Sequence, residues 1–237
     1  MTPQARRRWL QALVTTAALS PLCVLAVRFL RNGLGANPIE EITHWTGAWG
    51  LRLLLASLAV TPLRRLTGWS QIAPFRRTLG LVAFAYLVLH ALTFVALDHF
   101  FDWRSIAEDV TERRYVTAGF LGLVCLIPLA LTSTRRSMKR LGPRWVRLHR
   151  LAYVAATCGV VHFLWLVKAD LREPLIFAGI LALLLGFRAV TALRARTRGT
   201  PERSSASKAA AQRGEAERSS ASKATEQRGE AERSSAS

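Results

Sequence analysis

Four ionisable side chains lie inside long apolar stretches of the sequence: Arg52, His90, His149 and His162. An ionisable group inside a bilayer is costly unless it is paired or ligated, so each of the four is a candidate functional residue. Neutral histidine is also a common metal ligand and the usual axial ligand of haem iron. These residue types therefore indicate either metal ligation within a membrane or buried hydrogen bonds between helices.

The spacing predicts that His90 and His162 lie at the same depth. At about 1.5 Å per residue, His90 falls roughly 18 Å along its apolar stretch and His162 roughly 21 Å along its own. Two histidines at one level on parallel helices could bind a haem iron from opposite sides, as cofactor sites are built from facing helices in bundles. The alternative is an ordinary hydrogen bond between the two helices.

A second site is possible around His149. This residue precedes His162 by thirteen positions (149 to 162), an interval of about 20 Å and roughly 3.6 turns along a straight helix. His149 is therefore expected near the cytoplasmic membrane surface, with its ring on the opposite side of the fifth helix from that of His162. The spacing permits a second haem site but does not require one.

The elements that must position these residues are apolar stretches separated by clusters of arginine. Hydrophobic residues make up 51% of the 237 residues beside a net charge of +18, and this segregation is typical of a membrane protein. The stretch that follows Arg6, Arg7 and Arg8 is interpreted as a membrane helix rather than a signal peptide, because no convincing cleavage site follows it. Stretches of about 20 mainly apolar residues predict six membrane helices: 9–28, 47–66, 78–98, 116–134, 148–168 and 174–193.

The distribution of charge predicts the orientation of these helices. Basic clusters before the first helix and in the second and fourth loops are expected in the cytoplasm. The third loop is acidic and is expected outside. The predicted fold is thus an all-α, multi-pass integral membrane protein: a six-transmembrane-helix haem-binding bundle over residues 1–195 with both termini cytoplasmic.

Residues 196–237 differ from the rest of the chain. From Glu202 a fifteen-residue unit, ERSSASKAAAQRGEA, recurs with few changes and contains no aromatic or branched aliphatic residue to build a core. This segment is predicted to be a disordered cytoplasmic tail. Nucleic acid is not an expected partner, because the basic residues lie between apolar runs rather than along one stripe. Membrane lipid is the expected partner of the basic loops.

Three segments carry a family resemblance: NPIEEITHWTGAWGLRLLLASLAVTPLRR, RRTLGLVAFAYLVLH and LGPRWVRLHRLAYVAATCGVVHFLW. Together they resemble the haem-carrying membrane domain of ferric reductases and NADPH oxidases. The closer resemblance is to the bacterial MsrQ (YedZ) family, the haem-binding membrane subunits of a periplasmic methionine sulfoxide reductase system. The resemblance covers about residues 8 to 195 and excludes the tail.

This resemblance implies a function in the bacterial inner membrane. The implied role is to pass electrons to MsrP, a periplasmic molybdopterin enzyme that repairs oxidised methionines in envelope proteins, so the catalytic site would lie on the partner. The implied cofactors are haem b and FMN, and the implied electron source is the quinone pool. The family's haem histidines fall on His90, His149 and His162. The sequence has no glycine-rich dinucleotide fingerprint, so the chain is not expected to oxidise NADPH by itself.

Three arginines complete the set of candidate cofactor residues. Arg77 stands thirteen residues before His90, where a four-histidine arrangement would need another ligand, so one haem between His90 and His162 is favoured. Arg76 and Arg77 with His149 could receive a flavin phosphate, a haem propionate or a quinone, or could simply anchor the cytoplasmic side. Arg52 could bind a haem propionate or extend to the interface.

Two other functions stay open at this point. The chain could be a stand-alone transmembrane ferric or quinone reductase fed by a cytoplasmic flavin reductase. It could also be a haem-free membrane transporter, although the prolines within the apolar stretches show no clear internal symmetry.

Overall fold

A computed structural model of the chain describes residues 2–195, and these residues form helices without any β-strand. The predicted tail, 196–237, lies outside the described residues. The contacts divide the chain into two units, Met1–Gly186 and Phe187–Ser237. All of the packing and site geometry below belongs to the first unit.

The helices fall into a long and a short group. The long helices are α1 (Pro3–Leu30), α2 (Pro38–Thr67), α3 (Phe75–Thr93), α5 (Arg114–Leu131), α8 (Leu151–Leu166) and α9 (Arg172–Ala195). The short ones are α4 (Trp103–Glu112), α6 (Arg135–Leu141) and α7 (Pro143–Leu148). A 3₁₀ turn, Ser70–Ile72, precedes α3, and a π-helical segment, Phe94–Asp98, continues it.

Five helical segments within residues 2–195 are long and apolar enough to cross a membrane. They contain α1, α2, α3, α5 and α9, and five of the six predicted spans are thus confirmed by length and composition. The remaining prediction, 148–168, corresponds to α8, which has 16 residues where about 20 are needed to span a bilayer. It is shorter than predicted because residues 149 and 150 form a turn before it and the helix ends at Leu166.

Helix α2 begins nine residues before the predicted start at 47, at Pro38. The Asn37 side chain caps it by accepting a hydrogen bond from the Glu40 amide at 3.3 Å, and proline is favoured at the first helical position. The other end is closed by Gly68, whose φ of 71° suits glycine. The first turns of α2 are polar, so a search for apolar residues alone could not include them.

The core is built where α2 packs against α3 and where α5 packs against α8. Leu54 and Leu58 of α2 and Ala156 of α8 are buried in one apolar cluster. Tyr86 of α3 is completely buried, and its hydroxyl donates a hydrogen bond to the Ala18 carbonyl of α1 at 3.0 Å. The two helix pairs, α2 with α3 and α5 with α8, form the walls of the site.

The loop between α3 and α5 is folded rather than extended. After the π-helical segment, Phe100 and Phe101 have positive φ values of 48° and 63°, which are unusual for bulky residues. Asp102 then caps α4 by accepting the amide hydrogens of Arg104 and Ser105. This compact loop holds α4 beside the start of α5.

Candidate haem site

A mostly apolar cavity lies between the two helix pairs. Three histidines line it: His44 from α2, His90 from α3 and His162 from α8. Its charged lining residues are Asp98, at the end of the π-helical segment that continues α3, and Arg113, immediately before α5. Ligand sites are typically apolar with a few convergent polar groups, and this cavity fits that description.

His90 and His162 face each other across the cavity. Their ring centroids are 6.0 Å apart and their planes are inclined at 82°. Two imidazole nitrogens that share one metal atom lie about 4 Å apart, given bonds of about 2 Å, and each ring centre lies one ring radius farther out. The separation is therefore compatible with one metal atom bound by both rings. The structure brings together the two histidines that were predicted to lie at one depth.

Both rings are oriented by a hydrogen bond to a backbone carbonyl. Nδ1 of His90 is 2.9 Å from the Thr43 carbonyl oxygen, and Nδ1 of His162 is 2.6 Å from the Tyr115 carbonyl oxygen. A carbonyl can only accept, so each Nδ1 must carry the hydrogen and donate it. In the neutral rings Nε2 then keeps its lone pair, which is the form that a metal ion requires.

A glycine lies under each ring. A Cβ atom at Gly47 would be 3.0 Å from Nδ1 of His90, and one at Gly119 would be 2.8 Å from Nδ1 of His162. Each glycine stands four residues after the carbonyl that its histidine binds, since the carbonyls belong to residues 43 and 115. Both histidines therefore lie directly against the backbone of the neighbouring helix. These glycines were not predicted from the sequence, because each is far along the chain from the histidine that it contacts.

His149 lies apart from this pair, just before the N-terminal end of α8. Its ring stacks on Trp145, with centroids 3.8 Å apart and an interplanar angle of 26°, and its Nδ1 bonds the Trp145 carbonyl at 3.1 Å. Within the described residues, Nε2 is buried and has no hydrogen-bond partner. An orphaned buried polar atom is costly and points to a missing ligand.

The placement of His149 corrects one prediction. The residue was expected on the fifth helix, but it lies in the turn that joins α7 to α8. The expectation that its ring lies opposite that of His162 on a straight helix therefore does not apply. Arg76 is half-buried and acts electrostatically on His149, whereas Arg77 is exposed. The predicted roles of Arg76 and Arg77 beside His149 remain predictions.

Arg52 contacts α9 instead of the cavity. Its guanidinium lies 3.7 Å from the Glu173 carboxylate and over the rings of Trp49 and Phe177, at 5.3 and 5.7 Å from their centroids. It is not among the residues that line the cavity. The predicted contact of Arg52 with a cofactor remains a prediction.

The residues present fit haem better than a bare metal ion. Residues 2–195 contain no group of three or more His, Cys, Asp or Glu side chains placed to hold a metal ion. Two facing histidines supply only two ligands, and haem needs only these two because its macrocycle supplies the other four. The apolar walls suit the macrocycle as well.

The comparisons with known proteins agree with this geometry. A family model described as the ferric reductase like transmembrane component matches residues 46–160. A relative from Rhodospirillum rubrum, named protein-methionine-sulfoxide reductase heme-binding subunit MsrQ, is 54% identical over 187 residues, which are 78% of this chain and 90% of the relative. The chain belongs to the MsrQ family. Relatives of the same name from Xanthomonas axonopodis pv. citri and Xanthomonas campestris pv. campestris are 47% and 48% identical, over 81% and 77% of this chain and 92% and 87% of theirs.

Membership of the MsrQ family establishes several properties at a coarse level. The chain is a multi-pass, all-helical membrane protein with a ferric reductase-like domain, as five apolar helices and the matched family model agree. The names of its relatives describe heme-binding subunits of a methionine sulfoxide reductase. The matched segment 46–160 contains His90 and His149 and ends just before His162.

Proposed function

We propose that this chain is the haem b subunit that carries electrons across the bacterial inner membrane to a periplasmic methionine sulfoxide reductase. The partner is a molybdopterin enzyme of the MsrP type, and the electrons come from the quinone pool or from a cytoplasmic flavin reductase. The observation that carries this proposal is the facing pair His90 and His162, each with Nδ1 held by a carbonyl and Nε2 left for a metal.

The chain's own residues bind and orient the cofactor. His90 and His162 would hold the iron, and the carbonyls of Thr43 and Tyr115 fix the tautomer and the orientation of the two rings. The apolar helix walls exclude water from the site. Bound haem supplies one-electron chemistry at this position, and the protein supplies ligation and electrostatic tuning.

The cytoplasmic end would receive electrons. Its proposed residues are His149, Arg76 and Arg77, which could bind the phosphate of FMN, a quinone carbonyl or the propionate of a second haem. The buried, unpartnered Nε2 of His149 supports a ligand at this place, and the nearby Arg76 cation suits an anionic or carbonyl group.

The proposal includes six membrane spans and two cytoplasmic termini. Helix α8 is counted as the sixth span because it is apolar throughout and packs along α5. The basic residues of α6 and α7 then lie on the same side as those at the start of α1, the end of α2 and the start of α3, which agrees with the preference of Lys and Arg for the cytoplasm.

A redox spectrum of the purified protein tests the proposal. The protein in mild detergent should give sharp, low-spin b-type bands in a reduced-minus-oxidised spectrum, and a pyridine haemochrome assay counts the haem per chain. His90→Ala and His162→Ala should each abolish the main signal, while Arg104→Gln, whose exposed side chain lies outside the cavity lining, should retain it. A folded protein that stays colourless with added haem would refute the proposal.

A stand-alone transmembrane ferric reductase is the second candidate, and the description of the matched family model favours it. The two functions differ in the acceptor. Reduced protein that transfers electrons to a ferric chelate, but not to a molybdopterin methionine sulfoxide reductase, would support the second candidate over the first.

A further inference from the structure

The two ends of the cavity differ in polarity. Leu54, Leu126 and Ala155 line the inner part, while Asp98, Arg113 and Tyr115 belong to the outward part. Haem b carries two propionates, and placing a carboxylate among apolar helices is costly. If the proposed function holds, the propionates must therefore leave the cavity at its outward end. Arg113 is the one lining residue that is arginine or lysine within residues 2–195.

We propose that Arg113 binds a haem propionate at this outward end. Its Nε is 3.1 Å from Asp109 Oδ1, and its Nη1 donates to the Tyr115 hydroxyl at 3.3 Å. These two contacts involve Nε and Nη1, and the guanidinium has five N–H donors in all, so donors remain for a carboxylate, whose geometry a guanidinium fork matches.

The surrounding contacts place Arg113 accurately. Asp109 is also 3.3 Å from Nε2 of His99, whose Nδ1 is 3.0 Å from the Ser105 hydroxyl, so the carboxylate is fixed by two elements. Arg113 is the residue immediately before α5, two positions from the Tyr115 carbonyl that binds His162. The cation and the ligand histidine are therefore positioned by the same turn of backbone.

Arg113 is also available and charged. Its side chain is 55% exposed, so a propionate can reach it without displacing a packed group. The hydrogen bond to Tyr115 and the nearby Asp109 carboxylate raise the pKa of Arg113, so it is cationic throughout the physiological range. Asp98 lies at the same end, and its carboxylate would repel a propionate, which Arg113, as the lining cation, would offset. Arg52, the arginine first considered for this role, contacts Glu173 instead.

Haem with blocked propionates tests this assignment. Protein is loaded with haem b or with its dimethyl ester, and the release of each to excess apomyoglobin is timed. Wild-type protein should release the ester about ten-fold faster, because a hydrogen bond to a charged group is lost. Arg113→Gln should release both at nearly the same rate, and Arg113→Lys should lie between. Arg104→Gln is the matched control, since Arg104 is an outward arginine with a 90% exposed side chain that does not line the cavity.

The midpoint potential gives a second readout. Loss of a cation beside the propionate should lower the potential of natural haem in Arg113→Gln, while Arg104→Gln should keep it. The ester effect is the ratio of the release rate of the dimethyl ester to that of natural haem. If this ratio is as large in Arg113→Gln as in wild type, the assignment is overturned. If Arg113→Gln holds no haem, the lysine variant decides: a reduced ester effect supports the assignment and an unchanged one overturns it. Failure of wild-type protein to bind either haem would refute the proposed function instead.

Discussion

Gly119→Ala should weaken haem binding while strengthening the helix that carries it. The added Cβ would lie 2.8 Å from Nδ1 of His162, closer than real Cβ atoms approach other atoms, whereas ordinary contact begins at 3.4 Å. The ring must therefore retreat by about 0.6 Å (3.4 − 2.8). This movement strains or breaks its 2.6 Å hydrogen bond to Tyr115. Changing such an outer contact typically costs about 10- to 100-fold in metal affinity.

The effect of Gly119→Ala on helix stability should be favourable, whereas its effect on haem affinity is unfavourable. Alanine is a better helix former than glycine by about 1 kcal/mol in a helix interior, so Gly119→Ala should not unfold α5 by a change in propensity. Helix content, measured by circular dichroism, should be retained. A loss of haem would then be specific to the displaced His162 ring and not a result of unfolding.

The assay is the rate of haem release, combined with the low-temperature electron paramagnetic resonance spectrum of the ferric protein. Gly47→Ala should act in the same direction on His90 and more weakly, because its Cβ would be 3.0 Å from that ring. Gly179→Ala is the control, since its Cβ would meet no atom within 4 Å. Wild-type release and an unchanged spectrum in Gly119→Ala would refute the role given to this close contact.

Three further predictions concern residues outside the facing pair. His149→Ala should keep the main haem spectrum but slow its reduction by a quinol, as followed by stopped-flow absorbance. Arg52→Met should leave haem content unchanged. It should lower the free energy of unfolding by about 1 kcal/mol, because it removes a partly exposed ion pair with Glu173 and two cation–π contacts. Loss of haem in this variant would instead support Arg52 as a cofactor residue. Tyr86→Phe should lower the free energy of unfolding by about 1 kcal/mol, measured by thermal melting, because the buried hydrogen bond to Ala18 is lost.

The facing pair was predictable because a helix has a constant rise. Depth in the membrane follows from residue count alone, so His90 and His162 could be placed at one level without knowing their neighbours. Their partners could not be found in this way. The Thr43 and Tyr115 carbonyls could be identified as partners only from the facing sides of the helices. Every residue has a backbone carbonyl, so the sequence does not distinguish these two.

The ionisable residues outside the facing pair were harder to place. The distance between His149 and His162 was counted along one straight helix, but the chain turns at residues 149 and 150. Two partners of Arg52, Glu173 and Phe177, come from α9, more than a hundred residues later in the sequence. Arg113 belongs to a loop that the sequence marks only as acidic, and the folded loop brings it to the cavity. Long-range neighbours decided the case of Arg52.

The same arrangement occurs in both halves of the site, and this explains how two independent helix pairs can hold one cofactor. In each pair, one helix presents a histidine and the other presents a carbonyl followed four residues later by glycine. The carbonyl fixes the tautomer, and the missing side chain allows the ring to approach the backbone. Each ring is thereby positioned by its own helix partner before any metal binds. If haem binds as proposed, its iron has only to join two prepared halves, so little ordering of side chains would oppose its binding.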